Sequence, residues 1–121
     1  MGDINKKDVV IIDDCLLIRE RIREIVNSST NFNVIGEACN GIDAVNLIDA
    51  YRPDFIVLDI RMPDKSGISV LYEIQDYVKD MCVIVLTNHY GEAYKERCLK
   101  LGASYFLDKT KEIEKLKALF F

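Results

Sequence analysis

The chain has 121 residues, 50% of them hydrophobic, which is enough for one well-packed core and too few for two domains. A formal net charge of −4 and a pI near 5.0 exclude the basic surface that direct nucleic-acid binding needs. No apolar run approaches the roughly 20 residues that span a bilayer, and Met1–Asp8 has no signal-peptide pattern, so a cytoplasmic protein making no membrane contact is expected. Gly2 is not read as a myristoylation site, because Lys6 stands where that pattern wants Ser or Thr.

Val9–Ile12 is a continuous β-branched run ending at Asp13 and Asp14, the pattern of a strand buried on both faces. Ile18, Ile22, Ile25 and Val26 recur at helical spacing among charged residues, so an amphipathic helix follows and stops near Asn27–Thr30. Val34–Ala38 predicts a second strand, and Ala44, Leu47 and Ile48 mark a helix that ends before Pro53. Phe55–Leu58 is the third strand and runs into Asp59. Pro63 and Gly67 punctuate a loop before Val70, Leu71, Ile74 and Val78 resume helical periodicity. Cys82–Leu86 is a fourth strand closed by Thr87, and Glu92–Leu101 is a polar helix ended by Gly102. Ala103–Leu107 is the last strand, Lys109 follows it, and Ile113, Leu116 and Phe120 outline a final helix. Alternating strands and helices with helix-length connections require parallel strands, right-handed crossovers and a three-layer α/β/α sandwich.

Cys15, Cys39, Cys82 and Cys98 are widely spaced and have no histidine cluster beside them, so zinc binding is not expected and reduced thiols are. Cys39, Cys82 and Cys98 are read as small hydrophobes in apolar settings, and Cys15, beside the acidic pair, as partly exposed.

Asp13, Asp14, Asp59, Thr87 and Lys109 all lie at strand ends, where a parallel sheet gathers them along one edge. Each alone has an ordinary explanation: a strand-ending Asp or Thr caps a helix, and most lysines are solvated. Together they make a site. Three converging carboxylates repel, and a hard divalent cation such as Mg²⁺ relieves the repulsion. A carboxylate ionised at neutral pH attacks phosphorus without a general base, which makes Asp59 a candidate nucleophile. Lys109 and the Thr87 hydroxyl would then meet the charge on the transferred group.

These residues, with Leu-Asp-Ile-Arg-Met-Pro-Asp-Lys-Ser-Gly from Leu58 to Gly67 and Gly-Ala-Ser-Tyr-Phe-Leu-Asp-Lys from Gly102 to Lys109, resemble the CheY-like receivers of two-component response regulators. The resemblance covers nearly the whole chain, so residues 1–121 are read as one receiver domain. It implies a (βα)5 flavodoxin-like fold with sheet order 2-1-3-4-5, and phosphorylation of Asp59 by a sensor histidine kinase or a small acyl phosphate. It further implies Mg²⁺ held by Asp14, Asp59 and the backbone carbonyl of Arg61, with Asp13 acting through water. Thr87 and Lys109 would bind the phosphoryl oxygens.

The resemblance also implies a switch in which Thr87 moves toward the phosphoryl group and an aromatic residue turns inward. By spacing from Lys109 that residue is Phe106, with Tyr105 the adjacent alternative. Output is expected through Glu92–Leu101, Ala103–Leu107 and Thr110–Phe121. Homodimerisation on phosphorylation is expected, through either of two helical faces used in the family.

Departures from the pattern are Thr110 in place of Pro after the lysine, and Asn88 where a smaller residue is usual. A trans Lys109–Thr110 peptide with Thr110 as helix N-cap is the easier geometry. Arg61 and His89 stand at positions that modulate aspartyl-phosphate lifetime in receivers.

The Phe-Leu-Asp-Lys-Thr segment resembles the NarL/FixJ class of transcription regulators, and the apolar Leu119-Phe120-Phe121 end fits a chain continuing into a DNA-binding domain. A stand-alone receiver binding a protein target is the alternative. A haloacid-dehalogenase-type phosphohydrolase also uses Mg²⁺ and a strand-end Asp, but Arg61 occupies the place of its second Asp. A pseudo-receiver that works without phosphorylation is disfavoured by the full set of site residue types. Beyond self-phosphorylation and autodephosphorylation at Asp59, no enzymatic activity is expected.

Overall fold

A computed structural model describes residues 6–88 and 91–120. Five parallel strands, β1 (Lys7–Ile12), β2 (Phe32–Ala38), β3 (Phe55–Leu58), β4 (Cys82–Thr87) and β5 (Tyr105–Asp108), form one sheet of order β2-β1-β3-β4-β5. The helices are α1 (Leu16–Asn27), α2 (Gly41–Tyr51), α3 (Gly67–Glu73), α4 (Glu92–Lys100) and α5 (Leu116–Phe120). The expected three-layer flavodoxin-like sandwich and its strand order are both observed.

Strand residues alternate between the two faces, so each β-branched run feeds two cores. Val9, Ile11, Val57, Ile84 and Leu86 pack with Ile22, Ile25 and Val26 of α1 and with Leu116 and Phe120 of α5. Val10, Ile12, Ile56, Leu58, Val83 and Val85 pack with Ala44 and Ile48 of α2, Val70 and Leu71 of α3, and Cys98 of α4. Helix α4 buries only Cys98, as its polar sequence foretold.

Strands β1 and β2 begin two residues before the apolar runs that predicted them, and α3, β5 and α5 differ further from expectation. Helix α3 stops at Glu73, although Val78 continues the apolar period and is buried. The Gln75 side-chain amide donates to the Leu71 carbonyl at 2.9 Å, taking the acceptor of a further α turn. The backbone then proceeds by tighter bonds from Tyr77 to Ile74 and from Met81 to Val78, both 3.1 Å. Strand β5 starts at Tyr105 because the Ala103 amide closes the end of α4 on the Cys98 carbonyl at 2.9 Å. Gly102, at φ +107, makes that reversal, and a Cβ there would lie 2.8 Å from a Val78 methyl. The last helix opens with a 3₁₀ turn at Ile113–Lys115, so its α segment is only Leu116–Phe120.

The cysteines are free thiols. Cys98 is buried, and burial pushes its thiol up to about 11. Cys82 is half-buried and Cys15 exposed. Cys39 corrects the reading of it as a packed hydrophobe: it follows the last paired residue of β2, past the layer that the helices cover, and is exposed.

Candidate functional site

All five singled-out polar residues continue or cap strands along one edge of the sheet. Backbone bonds beyond the regular ladder extend the sheet by one step at β1, β3 and β5: the Asp13 amide donates to Ala38 at 3.1 Å, Asp59 to Ile12 at 3.0 Å and Lys109 to Thr87 at 3.0 Å. The β-ladder thus sets Asp13 beside Asp59 on adjacent strands and Lys109 beyond Thr87 on the far side of β4, from where the long lysine side chain reaches back to both carboxylates. Thr87 pairs with Asp108 in the β4–β5 register.

Asp13, Asp59, Thr87 and Lys109 are buried, whereas Asp14 is exposed at the rim. Lys109 Nζ lies 2.7 Å from Asp13 Oδ2 and 3.0 Å from Asp59 Oδ2, bridging the two buried carboxylates. Asp13 Oδ1 accepts the Cys15 amide at 2.8 Å. Burial raises the pKa of Asp13, with the Asp59 charge adding to the rise, and the bonds from Lys109 and Cys15 only partly oppose it. Burial alone would pull the Lys109 ammonium down, but its hydrogen bonds to Asp13 and Asp59 outweigh that and hold its pKa above the ordinary value.

Carboxylate oxygens of Asp13, Asp14 and Asp59 lie within 4.8 Å of one another. Three carboxylates against one ammonium leave two formal negative charges, and every donor is a hard oxygen. That donor set fits a divalent cation of the magnesium type, with Asp14 open to solvent to receive it. The Arg61 side chain is exposed and, with Ile60, Met62, Ser66, Ile68 and Tyr94, lines a hollow formed by the loop after β3, α3 and α4.

The loop that carries Arg61 is closely constrained. A Cβ on Gly67 would lie 2.3 Å from the Asp59 carbonyl oxygen, so only glycine lets the start of α3 pack against the backbone of Asp59. The Gly67 amide also donates to Ile60 at 2.6 Å.

The Lys109–Thr110 peptide takes the easier trans geometry, but Thr110 is not the cap. Asp108 Oδ1 accepts the amides of Thr110 at 2.9 Å and Lys111 at 2.8 Å, while the Asp108 amide donates to Glu112 Oε1 at 2.9 Å. A carboxylate bonded to successive amides caps better than a hydroxyl and orders this turn without proline. Thr110 Oγ1 instead donates to Asp108 Oδ1 at 2.8 Å and reaches the exposed Asn88 Oδ1 at 3.5 Å. His89 lies outside the described residues. Phe106 is half-buried against the α2–α3–α4 core and Tyr105 is exposed.

Sequence reasoning missed two supporting residues. Arg19 Nη1 donates to the Asp13 carbonyl at 2.7 Å while its Nε meets Glu37 Oε1 at 3.2 Å, tying the β1–α1 turn to β2. Asp64 accepts the amides of Gly41 and Ile42 from the loop after β3. An arginine on the first turn of a helix and an Asp after Pro look like ordinary surface residues, so no local signal marks either.

The model of the response regulator receiver domain family matches residues 9–121. The transcriptional regulatory protein DegU of Brevibacillus brevis is 37% identical over 112 residues, which cover 93% of this chain and 48% of DegU. A protein-glutamate methylesterase/protein-glutamine glutaminase of Clostridium acetobutylicum is 36% identical over 119 residues, covering 94% of this chain and 34% of that protein. The chain therefore spans about half and about a third of the length of these relatives. Among solved structures, the signal receiver domain of the putative response regulator NarL from Mycobacterium tuberculosis aligns with TM-score 0.82 and 32% identity, covering 96% of this chain and 97% of that one. Among the described residues no helix is long and apolar enough to cross a membrane. With its 2-1-3-4-5 sheet and an acidic cluster on the edge where the strands end, the chain belongs to the response regulator receiver domain family.

Proposed function

We propose that this receiver accepts a phosphoryl group from a sensor histidine kinase on Asp59 and relays its phosphorylation state to a separate output module. The observation that carries the reading is the buried Asp13–Lys109–Asp59 bridge with Asp14 at its open side. Asp59 is the nucleophile: its carboxylate oxygen bonds to phosphorus as the bond from phosphorus to the kinase imidazole, or to the acyl oxygen of acetyl phosphate, breaks. Lys109, already on Asp59 Oδ2, holds the nucleophile and meets charge on the phosphoryl oxygens, and the Thr87 hydroxyl donates to one of them. Asp14, Asp59 and the Arg61 carbonyl would hold Mg²⁺ directly, and Asp13 through water. The ion, when bound, supplies charge neutralisation for the incoming phosphoryl group.

The switch runs through Thr87 and Phe106. Phe106, together with Gly91, Glu92, Lys95, Asp108 and Glu112, lines a hollow beside the β4–α4 connection, which leaves space next to the ring. A phenylalanine has no hydroxyl, so its inward state rests on packing. The exposed face of α4 and β5, where Tyr94, Leu99 and Tyr105 are solvent-facing, is the output surface, and phosphorylation-dependent homodimerisation is one use of such a face. Transcription regulation through a DNA-binding domain outside this chain is the output that the DegU and NarL likenesses favour.

Intact mass after incubation with acetyl phosphate tests the chemistry. One phosphoryl group should be gained in the presence of Mg²⁺, and none with chelator or in Asp59→Asn. Failure to gain it even with the cognate kinase supplied would leave a phosphorylation-independent receiver.

A further inference from the structure

The loop from Asp59 to Gly67 leaves the sheet beside β1 and returns to begin α3. Its two ends are anchored by the sheet and by Gly67. Its middle is anchored from another element altogether. Asp64 Oδ1 accepts the Gly41 amide at 2.7 Å and Oδ2 accepts the Ile42 amide at 2.8 Å, so one carboxylate spans the first two free amides of α2. The Lys65 stem lies over the same turn, and a Cβ on Gly41 would be 2.0 Å from Lys65 Cγ. Asp64 does not replace the helix's own cap: the Asn40 side chain fills that role, with Oδ1 accepting the Asp43 amide at 2.8 Å. The first turn of α2 is therefore capped twice, once from within and once by the loop that carries Arg61.

An internal cap would suffice to satisfy a helix end. The second one fixes where the loop lies. We infer that Asp64 is a positioning residue for the proposed metal site: by clamping the loop to the first turn of α2 it sets the place of the Arg61 carbonyl relative to Asp14 and Asp59. This rests on the reading of Arg61 as a backbone ligand. Ile60 and Met62, on either side of Arg61, are buried in the core, and Lys65 pairs with Glu73. Without the clamp the segment keeps these contacts and loses its tie to α2, so a bound ion must complete the ordering of the loop as well as shed water. Groups that orient metal ligands typically alter metal affinity by roughly 10- to 100-fold when removed.

Calorimetric titration of Mg²⁺ alone into the 121-residue chain tests this, with thermal melts of every variant alongside. Asp64→Ala should weaken Mg²⁺ binding by about tenfold. Asp64→Asn, which keeps one acceptor oxygen, should fall between, and it carries the test if Asp64→Ala does not melt cooperatively. Asn40→Ala removes the internal cap of the same helix without touching the loop, and should lower the melting temperature while leaving Mg²⁺ affinity at the wild-type value. Wild-type affinity in Asp64→Ala, or equal weakening in Asn40→Ala, would reduce Asp64 to a helix cap and overturn the inference while leaving the proposed function intact. A wild-type chain that binds no Mg²⁺ would overturn both, and the two failures are thereby distinct.

Discussion

At the edge of the sheet where strands begin, Phe32, Phe55 and Phe120 form an aromatic cluster with ring centroids 4.9–5.7 Å apart. At the edge where they end, Asp13, Asp59 and Lys109 crowd into a buried ionic bridge. The first arrangement gains from burial and from edge-to-face ring contacts. The second pays a desolvation cost for each charge and still leaves a net negative formal charge. One sheet thus separates stability from function: the strands hold both edges rigid, and the apolar edge offsets what the acidic edge spends. The apolar Phe120 near the end of the chain is accounted for by this packing, since it is fully buried against α1 and the sheet.

The comparison breaks most sharply at Phe120. Phe120→Ala should lower stability by about 3–5 kcal/mol in denaturant titration. Below its melting transition it should keep wild-type Mg²⁺ affinity, and a matching loss of affinity would show that the two edges are not separate. Gly67→Ala comes next, at about 2 kcal/mol, because its Cβ must displace the Asp59 backbone. Here stability and phosphoryl uptake from acetyl phosphate should fall together, whereas a variant with intact uptake would mean that the loop accommodates the methyl.

Asp13→Asn should act in the opposite sense. The folded pKa of Asp13 is raised by burial, so its contribution to folding is fully present below the ordinary value of 3.8 and is lost as pH rises through the elevated one. Once Asp13 is ionised, the burial penalty opposes folding. In chelator the variant should therefore gain about 1 kcal/mol while losing Mg²⁺ affinity, and a destabilised variant would show that the Lys109 pair outweighs burial.

The smallest effect is at Asp64. Hydrogen bonds from the Gly41 and Ile42 amides, with burial opposing, lower its pKa from 3.8 to about 2. The resulting stabilisation is complete above about pH 3.8 and lost as pH falls toward 2, so Asp64→Asn should flatten that acid limb of the unfolding curve. An unchanged limb would remove the clamp's charge from the account.

Most of the fold was legible because its signals are local. The apolar runs of β1, β3 and β4 and the period of α1 each identify an element without reference to any other. The boundaries that moved did so for local bonding that the apolar period does not register: Gln75 ends α3 by taking a backbone acceptor, and the close of α4 on Cys98 delays β5. In the site, Asp13, Asp14, Asp59, Thr87 and Lys109 could be named beforehand because the end of a parallel strand is a place that a sequence marks. Arg19 and Asp64 could not, since their partners lie on other elements and their own surroundings in the chain are those of ordinary surface charges.

By itself the sequence determined the alternation of elements, the three-layer architecture and the residue types at the strand ends, since periodicity and strand termination are written in neighbouring residues. Tertiary structure alone decided which carboxylates Lys109 bridges and that the loop after Asp59 is clamped to α2. Those outcomes depend on distances between segments far apart in the chain, and such distances exist only once the sheet has formed.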